Sequence, residues 1–319
     1  MNDPILRPLG QTAFRIAPLV LGGNVFGWTI DEKRSFEVLD AFVDSGFSAI
    51  DTADSYSRWV KGHRGGESES IIGRWFKANP AKRQRALIFT KVGSDMGEGR
   101  KGLSARWITQ AVEDSLQRLQ TDVIDLYQSH WPDPDTPIDE TLTAFDRLLR
   151  AGKVRAIGAS NLDAAQLTSA LAVAAQKHLP RYATLQPEYN LYDRESFEGE
   201  LQQLCVREHL GVITYFSLAS GFLSGKYRST DDLAKGQRGA GIKKYLTSRG
   251  RQILEVLDQV AGRHGATQAE VALAWVMHQP GVTAPIASAT SHEQLASLVK
   301  AARLELSEAD LAQLSATGP

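Results

Sequence analysis

Short apolar runs alternate with amphipathic helical stretches along the whole chain, and this alternation limits the fold more than any other feature. Runs over 19–22, 47–51, 86–92, 123–129, 154–159, 183–186, 212–216 and 282–286 read as strands. From Asp31 onward, Phe36, Leu39, Phe42 and Val43 recur at helical spacing until Gly46 stops the pattern. Further helices are expected through Ile71, Ile72 and Trp75 to near Pro80, then over 104–119, 138–150, 163–177, 197–209 and 250–263. Thr267 with Glu270, and Ser291 with Gln294, have the spacing of capping boxes ahead of two more. Strands separated by helices imply a parallel sheet. Eight such units in 319 residues favour a closed (β/α)8 barrel of the TIM type over a doubly wound sheet.

Before the first barrel strand, 6–9 and 14–16 read as a short hairpin turning at 10–11, expected to cap the bottom of the barrel. No domain boundary is visible, so residues 1–319 read as one barrel domain. The stretch 230–241 reads as a functional loop over one face. Composition narrows the class. With 42% apolar and 23% charged residues the chain matches soluble globular proteins. A net charge of −1 argues against a nucleic-acid partner. No apolar run approaches the roughly 18 residues of a membrane span. The start MNDPILRPLGQ lacks a basic region followed by an apolar stretch, so no secretory signal is expected. The single cysteine, Cys205, cannot form an internal disulfide and reads as a small core residue, which fits a cytoplasmic setting.

Several familiar chemistries lack their motifs. The segment GGNVFG (22–27) has the wrong spacing for a dinucleotide-binding glycine loop, and there is no Walker loop. No G-x-S-x-G elbow occurs. The seven histidines show neither H-x-H nor HExxH, so no metal is expected. The informative residues stand elsewhere. In a barrel of this type, polar side chains at the C-terminal strand ends face the active site. Those ends carry Asp51, Lys91, His130, Ser160–Asn161 and Gln186, and Tyr56 follows five residues after Asp51. Each residue alone has a mundane reading: a turn aspartate, an ion-paired lysine, a core histidine, an N-cap pair. Their joint placement on five strands is what points to chemistry. An ammonium beside a phenol stabilises the phenolate, and an aspartate beside the lysine holds it charged and in place. The tyrosine can then give up a proton near neutral pH, while a histidine orients a carbonyl oxygen.

At these residues the chain resembles the aldo-keto reductases. DTADSY (51–56) is similar to that family's D-T-A-x-x-Y, TKVG (90–93) to its lysine strand, and DLYQSHWPD (125–133) to D-L-x-x-x-H-W-P. GASN (158–161), LQPEYN (185–190) and YFSLASGFLSGKY (215–227) resemble three further motifs in family order. The resemblance runs from about Leu9 to Leu314 and is nearest in kind to bacterial short-loop members, including those similar to potassium-channel β subunits. It implies Tyr56 as general acid, tuned by Lys91 and Asp51, with His130 orienting the carbonyl. It also implies an NADP(H) or NAD(H) site. Ser160, Asn161 and Gln186 would hold the nicotinamide amide, and Tyr215 would stack on its ring. Leu218, Ser220 and Gly221 would line the pyrophosphate with help from Lys226. Gly23 and Asn24 after the first strand, and Ala287 and Ser288 after the last, are assigned to the same cofactor site.

The chain departs from the family at two places. Phe216 and Ser217 stand where Ser-Pro is usual after the stacking tyrosine. In IASATSHEQL (286–295), Thr290 stands where many relatives place the base that grips the 2′-phosphate, followed by Gln294 and then Leu298. This weakens the NADP preference of the family; NADPH is favoured and NAD is the alternative. Trp28, Trp59 and Trp131 read as walls of an apolar substrate pocket, Trp75, Trp107 and Trp275 as core, and His63 as solvated. The expected substrate is a small aldehyde or ketone with an apolar body. Two other functions stay open: a regulatory module that binds nucleotide and turns over slowly, and a lyase forming a Schiff base at Lys91, which Asp51 opposes. A monomer and a homo-oligomer are equally compatible with the sequence.

Overall fold

The computed structural model describes residues 4–235 and 239–318. Ten strands occur in chain order: β1 (Arg7–Pro8), β2 (Arg15–Ile16), β3 (Val20–Gly22), β4 (Ala49–Asp51), β5 (Leu87–Val92), β6 (Ile124–Ser129), β7 (Val154–Ser160), β8 (Thr184–Gln186), β9 (Gly211–Thr214) and β10 (Val282–Ala287). Strands β3 to β10 close into an eight-stranded parallel barrel in which β10 pairs with both β3 and β9. The expected (β/α)8 architecture is therefore present.

Alternation along the strands separates two apolar layers. On β5, Phe89 points into the barrel while Ile88 and Val92 point out toward the helices. Val20, Ala49, Phe89, Leu126, Ala156, Ile213 and Ala284, one from each of seven strands, form the lower interior layer. The antiparallel pair β1–β2 closes that layer from below with buried Leu9 and Ile16 and the neighbouring Phe14. Its turn needs glycine. Gly10 has φ +56°, and a Cβ there would strike the backbone of Ala183 and Gly211 at the lower ends of β8 and β9. Arg7 ties the hairpin down by donating to the carbonyls of Met277 (2.7 Å) and Thr283 (3.2 Å). The hairpin caps the bottom, so the opening lies at the other end.

Helices start where side chains can cap them. Asp31, Ser104, Asp163, Thr247 and Thr267 each accept the backbone N–H three residues on. The Thr267–Glu270 capping box is complete. The Ser291–Gln294 box is only half formed: Ser291 caps Gln294 N, but the Gln294 carbonyl turns to Thr290 instead. Helix Glu200–Arg207 is shorter than the 197–209 expected, because Gly199 at φ +90° interrupts the chain before it. A short extra helix, Pro80–Arg85, follows Glu67–Ala78, since proline that ends one helix is preformed to start the next. Strand β9 stops at Thr214, two residues short of expectation, because Phe216 is left-handed (φ +52°). Trp75 and Trp275 are core residues; Trp107 is half-buried at its edge. His63 is not simply solvated, since its Nδ1 is enclosed. In the stretch 230–241 a 3-10 turn, Thr230–Lys235, precedes helix Gly239–Ile242; residues 236–238 lie outside the described residues. No helix among the described residues is long and apolar enough to cross a membrane.

Candidate active site

The period-2 alternation that sends Phe89 inward also sends Lys91 inward, one layer higher. There it meets Asp51 from β4, and both are buried (0% and 1% exposed). Lys91 Nζ donates to Asp51 Oδ2 (2.7 Å), to the Thr52 carbonyl (2.8 Å) and to Tyr56 Oη (3.0 Å), the full donor set of an ammonium. The phenol of Tyr56 reaches Asp51 Oδ2 at 3.3 Å. Gln186 Nε2 on β8 fixes the other carboxylate oxygen, Oδ1, at 2.9 Å. Tyr56 reaches this cluster because the chain after β4 folds back. Asp54 N donates to the Lys91 carbonyl, Tyr56 N to the Ala53 carbonyl, and Ser57 adopts φ +71°. Burial, opposed by Asp51, pulls the Lys91 pKa below its ordinary value. The aspartate therefore holds the lysine but does not fully offset its desolvation.

A second carboxyl sits in the same segment. Among the described residues both oxygens of Asp54 are enclosed with no side-chain hydrogen-bond partner, while nearby Glu69 takes Thr90 Oγ1 (2.6 Å) and Arg118 Nε (2.7 Å). Burial, reinforced by the Glu69 charge, pushes the Asp54 pKa well above the usual carboxylate range and favours its neutral form. The motif DTADSY contains no sign of this, because Glu69 and Arg118 come from other elements.

His130 follows β6, and its backbone N–H donates to the Val92 carbonyl (2.8 Å). Its ring stacks on Trp131 (5.8 Å, 14°) and lies edge-on to Tyr56 (6.1 Å between centroids). Desolvation and then the Lys91 cation hold its pKa well below 6.5, so the imidazole is neutral at pH 7. Asn161, left-handed at φ +61°, donates Nδ2 to the His130 carbonyl (2.8 Å) and accepts from Tyr215 Oη (2.7 Å). Ser160 Oγ donates to the Gln186 carbonyl (2.7 Å). The ends of β6, β7, β8 and β9 are thus laced into one polar shelf.

A cleft of about 850 Å³ runs from this shelf across the barrel mouth. Asp51, Tyr56 and His130 line one end with Trp59 and Trp131. Asn24, Ser160, Asn161, Gln186, Tyr215, Phe216, Ser217, Leu218, Ser220, Gly221, Lys226, Ala287, Ser288, Thr290 and Gln294 line the rest, so nearly the whole expected cofactor set converges there. Gly23 is the exception. It packs inward, where a Cβ would lie 3.0 Å from Ser68 Oγ and 3.1 Å from the Asp51 carbonyl. Gly22 takes its place on the wall, and a Cβ there would lie 2.6 Å from Ser288 Oγ. Ser288 Oγ in turn donates to Asn24 Oδ1 at 2.7 Å.

Phe216 does not derail the loop after β9. Its backbone goes left-handed, its ring stands at the rim (43% exposed), and Asn190 Nδ2 donates to its carbonyl at 3.1 Å. Ala219, Ser220 and Gly221 are also at positive φ, a concentration of strained backbone along the cleft wall. Ser217 tucks inward and donates to the Thr214 carbonyl (3.0 Å). At the far end, Gln294 Oε1 accepts from both Thr290 N (2.8 Å) and Thr290 Oγ1 (3.0 Å). Sequence reasoning missed Ser94, Glu188, Ser224 and Ser297, which also line the cleft. Ser297 could have been found, since it lies one helical turn beyond Gln294 on the same helix face. Trp28 stands behind Trp59, edge to face at 5.5 Å.

A closed parallel barrel with an Asp–Lys–Tyr cluster and a neutral histidine at one end of a long cleft defines a class. The chain belongs to the aldo/keto reductase family, whose model matches residues 18–318. Members of this family are oxidoreductases that generally use NAD(P)H. The chain is 37% identical to an oxidoreductase of Bacillus subtilis named YrpG, over 96% of this chain and 94% of that protein. It is 38% identical to the aldo-keto reductase YhdN of the same species, over 87% of this chain and 81% of that one. A probable voltage-gated potassium channel β subunit of rice is 31% identical over 92% and 89% of the two chains.

Proposed function

We propose that the protein reduces aldehydes and ketones with NADPH, Tyr56 giving the proton as hydride arrives at the carbonyl carbon. The hydrogen-bonded set Asp51–Lys91–Tyr56, at the cleft beside neutral His130, carries this reading. The walls suit a dinucleotide. Gly22 leaves room that a side chain would fill, and the strained Phe216–Gly221 segment, with Lys226 beyond it, offers backbone N–H groups and a cation to phosphate. The nicotinamide, when bound, supplies the hydride. Ser160, Asn161 and Gln186 would hold its amide, and Tyr215 would back its ring. Tyr56 and His130 then share one substrate oxygen. His130 donates a hydrogen bond that polarises the carbonyl, and Tyr56 gives up its proton as negative charge grows on that oxygen. Lys91 stabilises the phenolate left behind, and Asp51 with Gln186 keeps Lys91 aimed. Trp59 and Trp131, each about half exposed, favour a substrate with an apolar body.

Cofactor preference follows from Thr290 and Gln294. Both Thr290 donors go to Gln294 Oε1, which leaves the Gln294 amide N–H groups as neutral donors to a 2′-phosphate, so NADPH is preferred by a modest margin and NADH is the second donor. A Schiff base at Lys91 is disfavoured, because all three Nζ donors are engaged and Nζ is buried.

Titration with NADPH and NADH, followed by tryptophan fluorescence, tests the cofactor site, and binding of neither overturns it. Steady-state turnover of a reactive aldehyde tests the reaction. Tyr56→Phe is expected to lower kcat by at least about 100-fold with the Kd for NADPH retained; near-normal turnover removes Tyr56 from the acid role. Tight nucleotide binding without turnover in the unaltered protein would instead favour a regulatory module, the reading that the rice relative's name suggests.

A further inference from the structure

Besides its edge-on contact with Tyr56, His130 is held by four contacts. Its N–H goes to the Val92 carbonyl, its carbonyl to Asn161 Nδ2, and its ring plane lies against Trp131. These three fix position and tilt, and they say nothing about which ring nitrogen carries the proton. The fourth contact does. Ser94 Oγ lies 2.9 Å from Nδ1. Ser94 stands three residues after Lys91, where the chain leaves β5, and belongs to none of the family-like motifs.

We propose that Ser94 is a positioning residue that selects the tautomer of His130, donating its hydroxyl proton to Nδ1 and so placing the ring proton on Nε2 toward the substrate oxygen. The inference rests on the carbonyl-orienting role assigned above to His130. A neutral imidazole has one donor and one acceptor nitrogen, and the partner of one sets the character of the other. His130 is neutral at pH 7, so this choice decides whether it can hydrogen-bond a carbonyl at all. An acceptor-only partner at Nδ1, such as a carboxylate or a backbone carbonyl, would claim the proton there. Nε2 would then present a lone pair to the substrate oxygen and repel it. A hydroxyl can donate, and Ser94 Oγ makes no second hydrogen bond among the described residues, so its proton is available to Nδ1. The other titratable groups near the ring are Tyr56, edge-on at 6.1 Å, and Lys91, with Asp51 behind both. The Lys91 cation disfavours the imidazolium, which leaves tautomer choice as the means by which His130 becomes a donor.

Long-range proton–nitrogen correlation spectra at pH 7 read the tautomer directly, with His130 assigned by the signals lost in His130→Gln. The expected result is an Nε2–H ring in the unaltered protein and in Ser94→Thr. In Ser94→Ala the expected result is a tautomer mixture, with kcat/KM about tenfold lower and the Kd for NADPH unchanged. Ser94→Asp adds a test that a packing role would not pass. Its carboxylate accepts Nδ1–H, so Nε2 carries a proton only in the imidazolium. Its kcat/KM should then fall as pH rises through the imidazole pKa, a limb absent from the unaltered protein. An Nδ1–H ring in the unaltered protein, an unchanged tautomer in Ser94→Ala, or an ordinary pH profile for Ser94→Asp overturns the proposal. An Nε2–H ring that is lost in Ser94→Ala, in a protein that reduces no carbonyl, would uphold Ser94's control of the ring while the reductase reading fell.

Discussion

At the scale of single residues, the proposed catalytic set was legible because its members are chemically conspicuous at strand ends. Asp51, Lys91 and His130 are polar groups where strands stop, and barrel geometry sends such groups to one mouth. Gly22 and not Gly23 lines the cleft, because β3 ends at Gly22 and Gly23 begins a short 3-10 turn packed against Ser68 and the Asp51 carbonyl. Asp54 and Ser94 could not be read at all, since their surroundings come from distant residues: Glu69 and Arg118 for one, His130 for the other. Thr290 belongs at this scale too. Its hydroxyl and N–H are both spent on Gln294 Oε1, and neither residue carries a charge. Thr290→Arg would add a charge-assisted contact worth about 1.5–3 kcal/mol to a 2′-phosphate. It is expected to tighten NADPH by tenfold or more and leave NADH nearly unchanged. Equal effects on the two Kd values would show that residue 290 does not face that phosphate.

At the scale of elements, helix starts were well marked, since Asp31, Ser104, Asp163 and Thr267 cap their helices from within their own sequence. Gln294 shows the limit of such reading. The spacing Ser291-x-x-Gln294 permits a capping box, yet the side chain bonds Thr290, which the turn leaving β10 brings within reach. Gly73 shows tertiary packing overriding propensity. It lies within helix Glu67–Ala78, where alanine is ordinarily the better helix former by about 1 kcal/mol. A Cβ at this position would strike the Arg118 carbonyl at the end of helix Ala105–Leu119. Gly73→Ala is therefore expected to destabilise by about 1–3 kcal/mol, seen as a lower Tm. A raised Tm would mean that the two helices can separate without loss.

At the scale of the whole molecule, the barrel has a sealed end and a working end. The β1–β2 hairpin completes the lower apolar layer, and inside the barrel the buried Lys91–Asp51 pair lies in the layer above it. The last helix, Glu308–Ser315, is fastened to the barrel by Asp310. This carboxylate takes Arg263 (2.6 Å), His264 (2.9 Å) and Ser307 Oγ (2.6 Å). Those bonds, led by Ser307, hold the Asp310 pKa well below the ordinary carboxylate value. A depressed folded-state pKa contributes stability that is fully present above the unfolded value, near 4, and lost as pH falls toward the folded value. Asp310→Asn is expected to lower Tm by about 2–4 °C at pH 7. The difference from the unaltered protein should shrink below about pH 4. A difference independent of pH would mean that shape, not charge, fastens the helix.

The amino-acid sequence by itself determined the architecture and singled out the groups proposed to react. Periodicity is a local property, and strand–helix alternation admits few ways to bury both kinds of apolar face. It also marked Tyr56, five residues past a strand end, as a partner for Lys91. Tertiary structure alone decided what surrounds each group: that Asp54 is enclosed beside Glu69, that Phe216 turns left-handed and stands at the rim, that Gln294 turns to Thr290, and that Ser94 meets the ring of His130. The physical reason is range. Secondary structure depends on neighbours three or four residues away, whereas burial, hydrogen-bond partners and charge state depend on side chains brought together by the closure of the barrel.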